Sequence, residues 1–424
     1  MTSNNNIPQG YKQTEIGVIP EDWELKSVNK HCTVKARIGW QGLRSDEYLE
    51  SGEYGLITST DIVEGTINWS TCYFVDKSRY LQDPNIIINE DDTLVSKDGT
   101  IGKVGIVQNI PFPSTLNSGV FVIRPRFDNV YKKYFAFVFK SIYFHDFINR
   151  LTAGSTIVHL YQKDIIRFIF PVPPLAEQKA IATALSDVDA LIAALDKKIA
   201  KKKLIKQGAM QQLLTGKKRL PGFTDKWVEK KLGDVGFLLN GYAFKSETYH
   251  PTGKYKIITI ANVKNGRLDT NDCNKISNFP SDIQKHQVLK VGDILISMTG
   301  NVGRVCMVNT NSCLQNQRVG LFELQDKCYY DKNFLYTILN CKEFETAMID
   351  SGQGAAQSNI SKKDIEDYIF LIPKNLKEQQ AIATILSDMD KEISDLESKC
   401  DKYRLIKQGM MQKLLTGQIR LKTT

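Results

Sequence analysis

The sequence predicts an α+β fold: two tandem globular domains related by a pseudo-two-fold axis and separated by two long helices that pack as an antiparallel coiled coil. Three observations predict it. Two helical segments repeat one another without a gap. The globular segments before them repeat more faintly at the same spacing. Those globular segments also mix short β-branched runs with apolar residues at helical spacing.

The helical repeat is the loudest signal. Ala180-Ile-Ala-Thr-Ala-Leu-Ser-Asp187 returns as Ala381-Ile-Ala-Thr-Ile-Leu-Ser-Asp388, and Leu204 to Gly216 returns as Leu405 to Gly417. The spacings agree, 381 − 180 = 201 and 405 − 204 = 201. Roughly 60 % identity over about 45 residues marks a duplicated unit. Asp92 to Val104 matches Asp293 to Val305, and Tyr54 to Gly65 matches Tyr255 to Gly266, again 201 apart. Trp23 answers Trp227 and Lys163-Asp164-Ile165 answers Lys363-Asp364-Ile365, so only small insertions intervene. The chain then divides into 1–172, a first globular domain with its N-terminal extension; 173–216, a central long helix; 217–373, a second globular domain; and 374–424, a C-terminal long helix.

Within the first domain, Tyr54 to Thr58, Ile86 to Ile88, Thr93 to Ser96, Val104 to Val107 and Val120 to Ile123 are β-branched runs bounded by Gly, Asp, Asn or Pro, which predicts strands. Tyr131 to Phe147 and Lys332 to Ile349 carry apolar residues at helical spacing. Pro173-Pro174 precedes the central helix, where proline is tolerated because the first amides have no intrahelical partner. Ile181, Leu185, Val188, Ile192, Leu195 and Ile199 step by three and four, a stripe narrow enough for a coiled-coil seam. The copy reads Ile382, Leu386, Met389, Ile393, Leu396 and then Cys400. About 40 residues of helix make a rod roughly 60 Å long. Such a rod needs a partner along its seam, and the pseudo-two-fold relation makes its own duplicate an antiparallel one. The lysines between Lys197 and Lys206 read as a solvated helix face.

Composition sets bounds. At 424 residues the length suggests about two to four domains. The N-terminus, Met1-Thr-Ser-Asn-Asn-Asn, lacks the apolar core of a signal peptide, and no apolar run is long enough to cross a bilayer. Eight cysteines are scattered without a CxxC pair or clustered histidines, which reads as reduced, buried thiols in a cytoplasm, not as a zinc site or disulfide framework. A net charge of +9 suits a polyanionic partner.

Motifs for catalysis are missing. Gly99-Thr-Ile-Gly102-Lys103 is no P-loop, which needs Gly-Lys followed by Ser or Thr and four residues between its glycines. Its copy, Gly300-Asn-Val-Gly303, supports a tight β-turn instead. There is no Asp/Asn-Pro-Pro-aromatic tetrapeptide of amino-methyltransferases. Glu24-Leu-Lys26 and Glu397-Ser-Lys399 lack the strand context of a nuclease metal site. No nucleophile elbow or His-Glu-x-x-His is present. The sequence therefore predicts a binding architecture that is non-catalytic by itself and holds neither metal nor cofactor.

Here a resemblance becomes specific. Ile19-Pro20-Glu-Asp-Trp23, the segments Pro173-Pro174-Leu-Ala-Glu177-Gln178-Lys-Ala-Ile181-Ala and Ile372-Pro373-Lys-Asn-Leu-Lys-Glu378-Gln379-Gln-Ala-Ile382-Ala, and the Leu-Ile-Lys-Gln-Gly and Leu-Leu-Thr-Gly pieces at both helix ends resemble the specificity (S) subunit of type I restriction–modification enzymes. The resemblance spans essentially the whole chain and rests on the ordered duplication. It implies two target recognition domains, each reading one half of a bipartite asymmetric site in double-stranded DNA. It implies helices that set the spacer and dock two methyltransferase (M) subunits. S-adenosylmethionine would sit on those subunits, and ATP and magnesium on motor–nuclease (R) subunits of the full complex. It also implies a cytoplasmic protein of bacterial or archaeal origin with no membrane role. Half-sites read from one face lie about one helical turn, some 34 Å, apart.

Base edges are read by Arg, Lys, Asn and Gln supplied by loops. The candidates in the first domain are Gln41, Arg44, Lys97, Thr100, Lys103, Asn117, His159 and Gln162. In the second they are Lys245, Asn301, Arg304, Asn316, Gln317, Arg318, Gln353, Gln357 and Asn359. Lys103 and Arg304 match between copies and read as phosphate contacts, since a shared residue cannot distinguish different half-sites. Asn117 and Asn316 also read as turn residues. Ile181, Leu185, Val188, Ile192, Leu195, Ile382, Leu386, Met389, Ile393 and Leu396 are the candidates for the helix pair and subunit docking. Two rival classes are a coiled-coil scaffold that binds no DNA and a self-sufficient DNA-modifying enzyme.

Overall fold

The computed structural model of the chain describes residues 7–152, 159–352 and 359–421. It divides into two compact units, Met1–Asp196 with Lys399–Thr424, and Lys197–Ser398. The division cuts both long helices, Leu175–Leu213 and Leu376–Leu414, near their middles. Each unit thus holds one globular domain, the first half of the helix that follows it, and the last half of the other helix. The segments read along the sequence are regrouped rather than stacked in order.

In unit 1, Lys407 bonds Asp189 at 2.5 Å and Arg404 bonds Asp196 at 2.8 Å. In unit 2, Lys206 bonds Asp390 at 2.5 Å, and Lys202 and Lys203 bond Glu392 and Glu397 at 2.7 Å each. Numbers fall on one helix as they rise on the other, so the halves run antiparallel within each unit. The lysine run is therefore not simply a solvated face. Exposed pairs of this kind contribute about 0–1 kcal/mol each, so they fix register more than they stabilise.

The apolar stripe does two jobs. Leu195 in unit 1 and Ile199 and Ile393 in unit 2 are buried, while Val188, Ile192, Met389 and Leu396 are half-buried. Ile181 and Leu185 instead join the core of unit 1, in the cluster that includes Val28, Tyr134, Leu414 and Leu415. Ile382 and Leu386 do the same in unit 2 with Leu213 and Leu214. These four present no surface on which a separate subunit could dock, which corrects that part of the expectation. The seam begins more than three turns into each helix because the first turns are already committed to the domain core.

The sheets show why the central strands are mostly apolar. In unit 1 the six-stranded sheet runs Cys32–Lys35, Val120–Pro125, Thr93–Ser96, Val104–Ile106, Thr66–Ile67, Ile62–Val63. Val95, Phe121 and Ile123 pack towards the helices, whereas Leu94, Val120 and Val122 pack with Ile57 and Leu116 of a three-stranded sheet. Successive residues point to opposite faces, and both faces are covered. Unit 2 repeats this with Ile294, Ile296 and Phe322 on one face and Leu295, Val319 and Leu321 on the other.

Two local expectations change. Ile86 closes a 3-10 turn, Pro84–Ile86, started by Asp83, whose carboxylate accepts from Asn85 N at 2.9 Å; Ile87 makes only an isolated bridge to Thr115. The stretch Tyr131 to Phe147 is two helices, Lys132–Phe139 and Ile142–Thr152. Ser141 Oγ donates to Val138 O at 2.6 Å and takes the backbone out of the helical ladder. The copy breaks likewise between Lys332–Leu339 and Lys342–Ser351.

The Glu-Gln at the start of each long helix is a structural node. Glu177 is buried and accepts Trp23 Nε1 at 3.1 Å and the Arg420 guanidinium at 2.7 Å. Gln178 accepts Tyr131 N and donates to Asn129 O and Pro173 O. In unit 2, Glu378 holds Trp227 and Arg219, and Gln379 holds Asp331, Tyr329 and Pro373. Each arginine comes from just beyond the end of the other long helix. Cys32, Cys72, Cys306, Cys313 and Cys400 are buried free thiols, Cys273 and Cys341 are half-buried, and Cys328 is exposed. Among the described residues, no helix is long and apolar enough to cross a membrane.

Candidate nucleic-acid interface

In both units the candidate polar residues gather where the central strands end. Thr93–Ser96 runs into the glycine turn, and the side chain of Ser96 ties that turn together. Its Oγ donates to Thr100 O at 2.6 Å and accepts from Lys103 N at 2.9 Å. Gly99 and Gly102 have φ of +70° and +78°, the left-handed conformation that favours glycine. Ser297 holds Asn301 O and Arg304 N in the same way, with Gly300 and Gly303 at +71° and +75°. The repeated Gly-x-x-Gly is thus a hairpin turn, as expected. It places Thr100 and Asn301 on an exposed tip.

Beside the turn in unit 1, Lys97 O accepts Leu160 N at 2.8 Å and Lys97 N donates to Gly119 O at 2.9 Å. These bonds draw the segment His159–Gln162 and the Asn117–Gly119 turn to the same edge. The result is a cleft of about 540 Å3 lined by Arg37, Lys97, Asp98, Ser118, His159 and Gln162, among others. Lys97 Nζ stands 5.5 Å over the Phe121 ring and Lys163 Nζ 5.4 Å over the Tyr161 ring. His159 Nδ1 lies 2.5 Å from Asp98 Oδ1. Lys97, His159 and Gln162 are therefore brought together. Gln162 Nε2 also reaches Val34 O at 3.4 Å.

Other candidates fall differently. Gln41 is buried, so it offers no edge to a ligand without local movement. Asn117 Oδ1 accepts Gly119 N at 2.9 Å, the turn role already weighed for it. Arg44 and Lys245 are exposed at equivalent places, each just before a 3-10 turn. Lys103 is half-buried, just before the return strand Val104–Ile106.

Unit 2 repeats the construction. Met298 N donates to Arg318 O at 3.1 Å and Ile360 N to Met298 O at 2.9 Å, joining the Asn316–Arg318 turn to the segment at Asn359. Thr299 Oγ1 donates to Asn359 Oδ1 at 2.9 Å. Asn316 Oδ1 accepts Arg318 N at 3.4 Å, again a turn role, and Gln317 and Arg318 are exposed. Arg304 Nε stands 3.9 Å from Glu345, which partly neutralises it. Gln353 and Gln357 lie outside the described residues.

Two residues at the unit 1 cleft escaped the sequence reading. Tyr161 is 56 % exposed beside the cleft, a flat surface of the kind that stacks on bases or sugars; an aromatic flanked by His159, Gln162 and Lys163 is the signal that could have found it. Arg37 is buried under the cleft and donates to Leu116 O at 2.9 Å and to Gln82 and Thr115. Burial, then Arg79, pull its pKa below the usual arginine value, yet an arginine remains a cation there. An arginine between Ala36 and Ile38 is its trace in the sequence. Among the described residues, no group of three or more His, Cys, Asp or Glu is placed to hold a metal ion.

A family described as Type I restriction modification DNA specificity domain matches residues 20–204 and again residues 224–402. The chain belongs to this family. The two matches begin near Trp23 and Trp227 and take in the polar edges of both units, so the duplicated unit is the specificity domain. Similar relatives include the putative type I restriction enzyme MjaX specificity subunit of Methanocaldococcus jannaschii, 26 % identical over 434 residues, with 98 % of each chain covered. The type I restriction enzyme EcoKI specificity subunit of Escherichia coli K12 is 26 % identical over 392 residues, covering 86 % of this chain and 82 % of that one. The crystal structure of a Type-I restriction-modification system S subunit from M. genitalium shares the specificity-domain fold. It has a TM-score of 0.61 at 16 % identity, over 100 % of this chain and 99 % of that one.

Proposed function

We propose that this chain is the DNA-specificity subunit of a type I restriction–modification system, each unit reading one half of a bipartite, asymmetric site. The observation that carries the reading is the double match to a DNA specificity domain, laid over two strand-end edges that are built alike and carry different polar residues. Equivalent scaffolds with different polar edges suit two different half-sites. The remaining surface of the paired helices serves two methyltransferase subunits and fixes the spacing of the half-sites. S-adenosylmethionine on those subunits supplies the methyl group, and motor–nuclease subunits bring ATP and magnesium where cleavage occurs. The chain itself contributes recognition in the cytoplasm, and chemistry belongs to its partners. The test is affinity selection of randomised duplexes by the full chain assembled with its methyltransferase subunits. A split consensus is expected. Recovery of unselected DNA would overturn the reading and favour a scaffold.

A further inference from the structure

Asp98 and His159 face each other across an isolated antiparallel bridge in unit 1, and Thr299 and Asn359 occupy the corresponding bridge in unit 2. The positions correspond by sequence, 98 + 201 = 299 and 159 + 200 = 359. They also correspond by backbone, since the next residue donates to the strand end in each unit, Leu160 to Lys97 and Ile360 to Met298. One framework therefore carries two different side-chain pairs. We propose that this bridge is a specificity-determining position in each unit, where Asp98 or Thr299 sets the hydrogen-bonding edge that His159 or Asn359 offers to a base. The inference rests on the DNA-reading function proposed above.

The chemistry of the two pairs is opposite. The Asp98 carboxylate has no proton to give, so the 2.5 Å bond makes Nδ1 of His159 the donor. In its neutral form the ring then offers Nε2 as an acceptor. In unit 2, Thr299 Oγ1 donates to Asn359 Oδ1 at 2.9 Å, and the amide's outward groups are its two Nδ2 protons. An acceptor matches the exocyclic amines of adenine and cytosine; a donor matches the O6 and N7 of guanine, the O4 of thymine or the N7 of adenine, and has no partner on cytosine. Both ends are reachable: His159 and Asp98 are 54 % and 35 % exposed, and Asn359 is exposed at the same edge. Asp98 and Thr299 are positioning residues, and His159 and Asn359 are the readers.

The test exchanges the pairs in the full chain assembled with its methyltransferase subunits and sequences the duplexes selected from a randomised pool. Asp98→Thr with His159→Asn should make one position of one half-site admit guanine or thymine and reject cytosine on the contacted strand, where the wild type selects adenine or cytosine, leaving the other half-site unchanged. The reciprocal Thr299→Asp with Asn359→His should make the opposite change in the other half-site. An unchanged consensus with tight binding would overturn the inference while leaving the DNA-reading function standing. A wild-type complex that selects no consensus would overturn that function itself. His159→Ala, an exposed truncation that leaves the core untouched, should relax the same position by about tenfold. Weaker binding to every sequence, with preferences unaltered, would make His159 a phosphate contact and refute the base-reading role.

Discussion

Arg420 Nε donates to Glu177 Oε1 at 2.7 Å, tying the chain beyond the C-terminal helix to the first turn of the central helix, 243 residues away. The same carboxylate receives Trp23, and Arg420 also bonds Asp22 at 2.7 Å. Arg219, Glu378 and Trp227 repeat the arrangement in unit 2. Each unit is therefore closed by a residue from just beyond the end of the long helix that starts in the other unit.

Arg420→Ala should destabilise unit 1 by about 3 kcal/mol, because it strips a buried carboxylate of its guanidinium partner. Arg219→Ala should destabilise unit 2 in the same direction. Denaturant unfolding of the two variants checks this. A loss below about 0.5 kcal/mol in each, the range of ordinary surface substitutions, would show that the node does not hold the units closed.

Lys140 makes a pH-dependent prediction. Its Nζ lies 2.7 Å from where a Cβ on Gly65 would stand, and it is packed near the Asp189–Lys407 pair. Burial, and then Lys407, pull its pKa from 10.5 down to about 8, against the opposing effect of Asp189. Between those values the unfolded chain binds the proton that the folded chain has lost, so this lysine's penalty to folding shrinks as pH rises through that window. Lys140→Met should therefore melt higher than wild type at pH 7, and the gap should narrow towards pH 10. Unit 2 carries Asn340 at this place, against Gly266. A gap of constant size would contradict the argument.

Much of this was legible because repetition and periodicity are local signals. The long helices could be read from the stripe beginning at Ile181, and the glycine turn from its copy 201 residues on. What was hidden depended on partners far away in sequence. Ile181 and Leu185 look like seam residues until Leu414 and Leu415 are seen in the same core. Gln41 looks like a loop reader until its burial is known, and Glu177 looks like a surface helix residue until Arg420 and Trp23 are placed on it. The candidate site was half legible for the same reason: residue types pointed to loops, but only the fold joins Lys97 to His159 through Leu160.

The phosphate contacts should show in salt dependence. Affinity of the full chain for a duplex should fall by about a thousandfold or more between roughly 50 and 200 mM salt. Lys103→Gln should weaken binding to all sequences alike and lower the salt slope by about one. A change in base preference would instead make Lys103 a reader.

The helices should behave as a spacer. Four residues inserted after Ala193, with four inserted opposite beside Arg404 so that the ion pairs keep register, add about 6 Å of helix. The unread gap between half-sites should lengthen by roughly one or two base pairs, at about 3.4 Å each. Methylome sequencing reads it directly, and an unaltered gap would remove the spacer role from the helices.

The central claim is that each unit reads its own half-site. Replacing residues 24–160 with the corresponding segment of a family member of different specificity, then sequencing the methylated sites in cells that also carry the methyltransferase subunits, tests it most directly. One half of the site should change and the other half should persist. A change in both halves, or in neither, would contradict it.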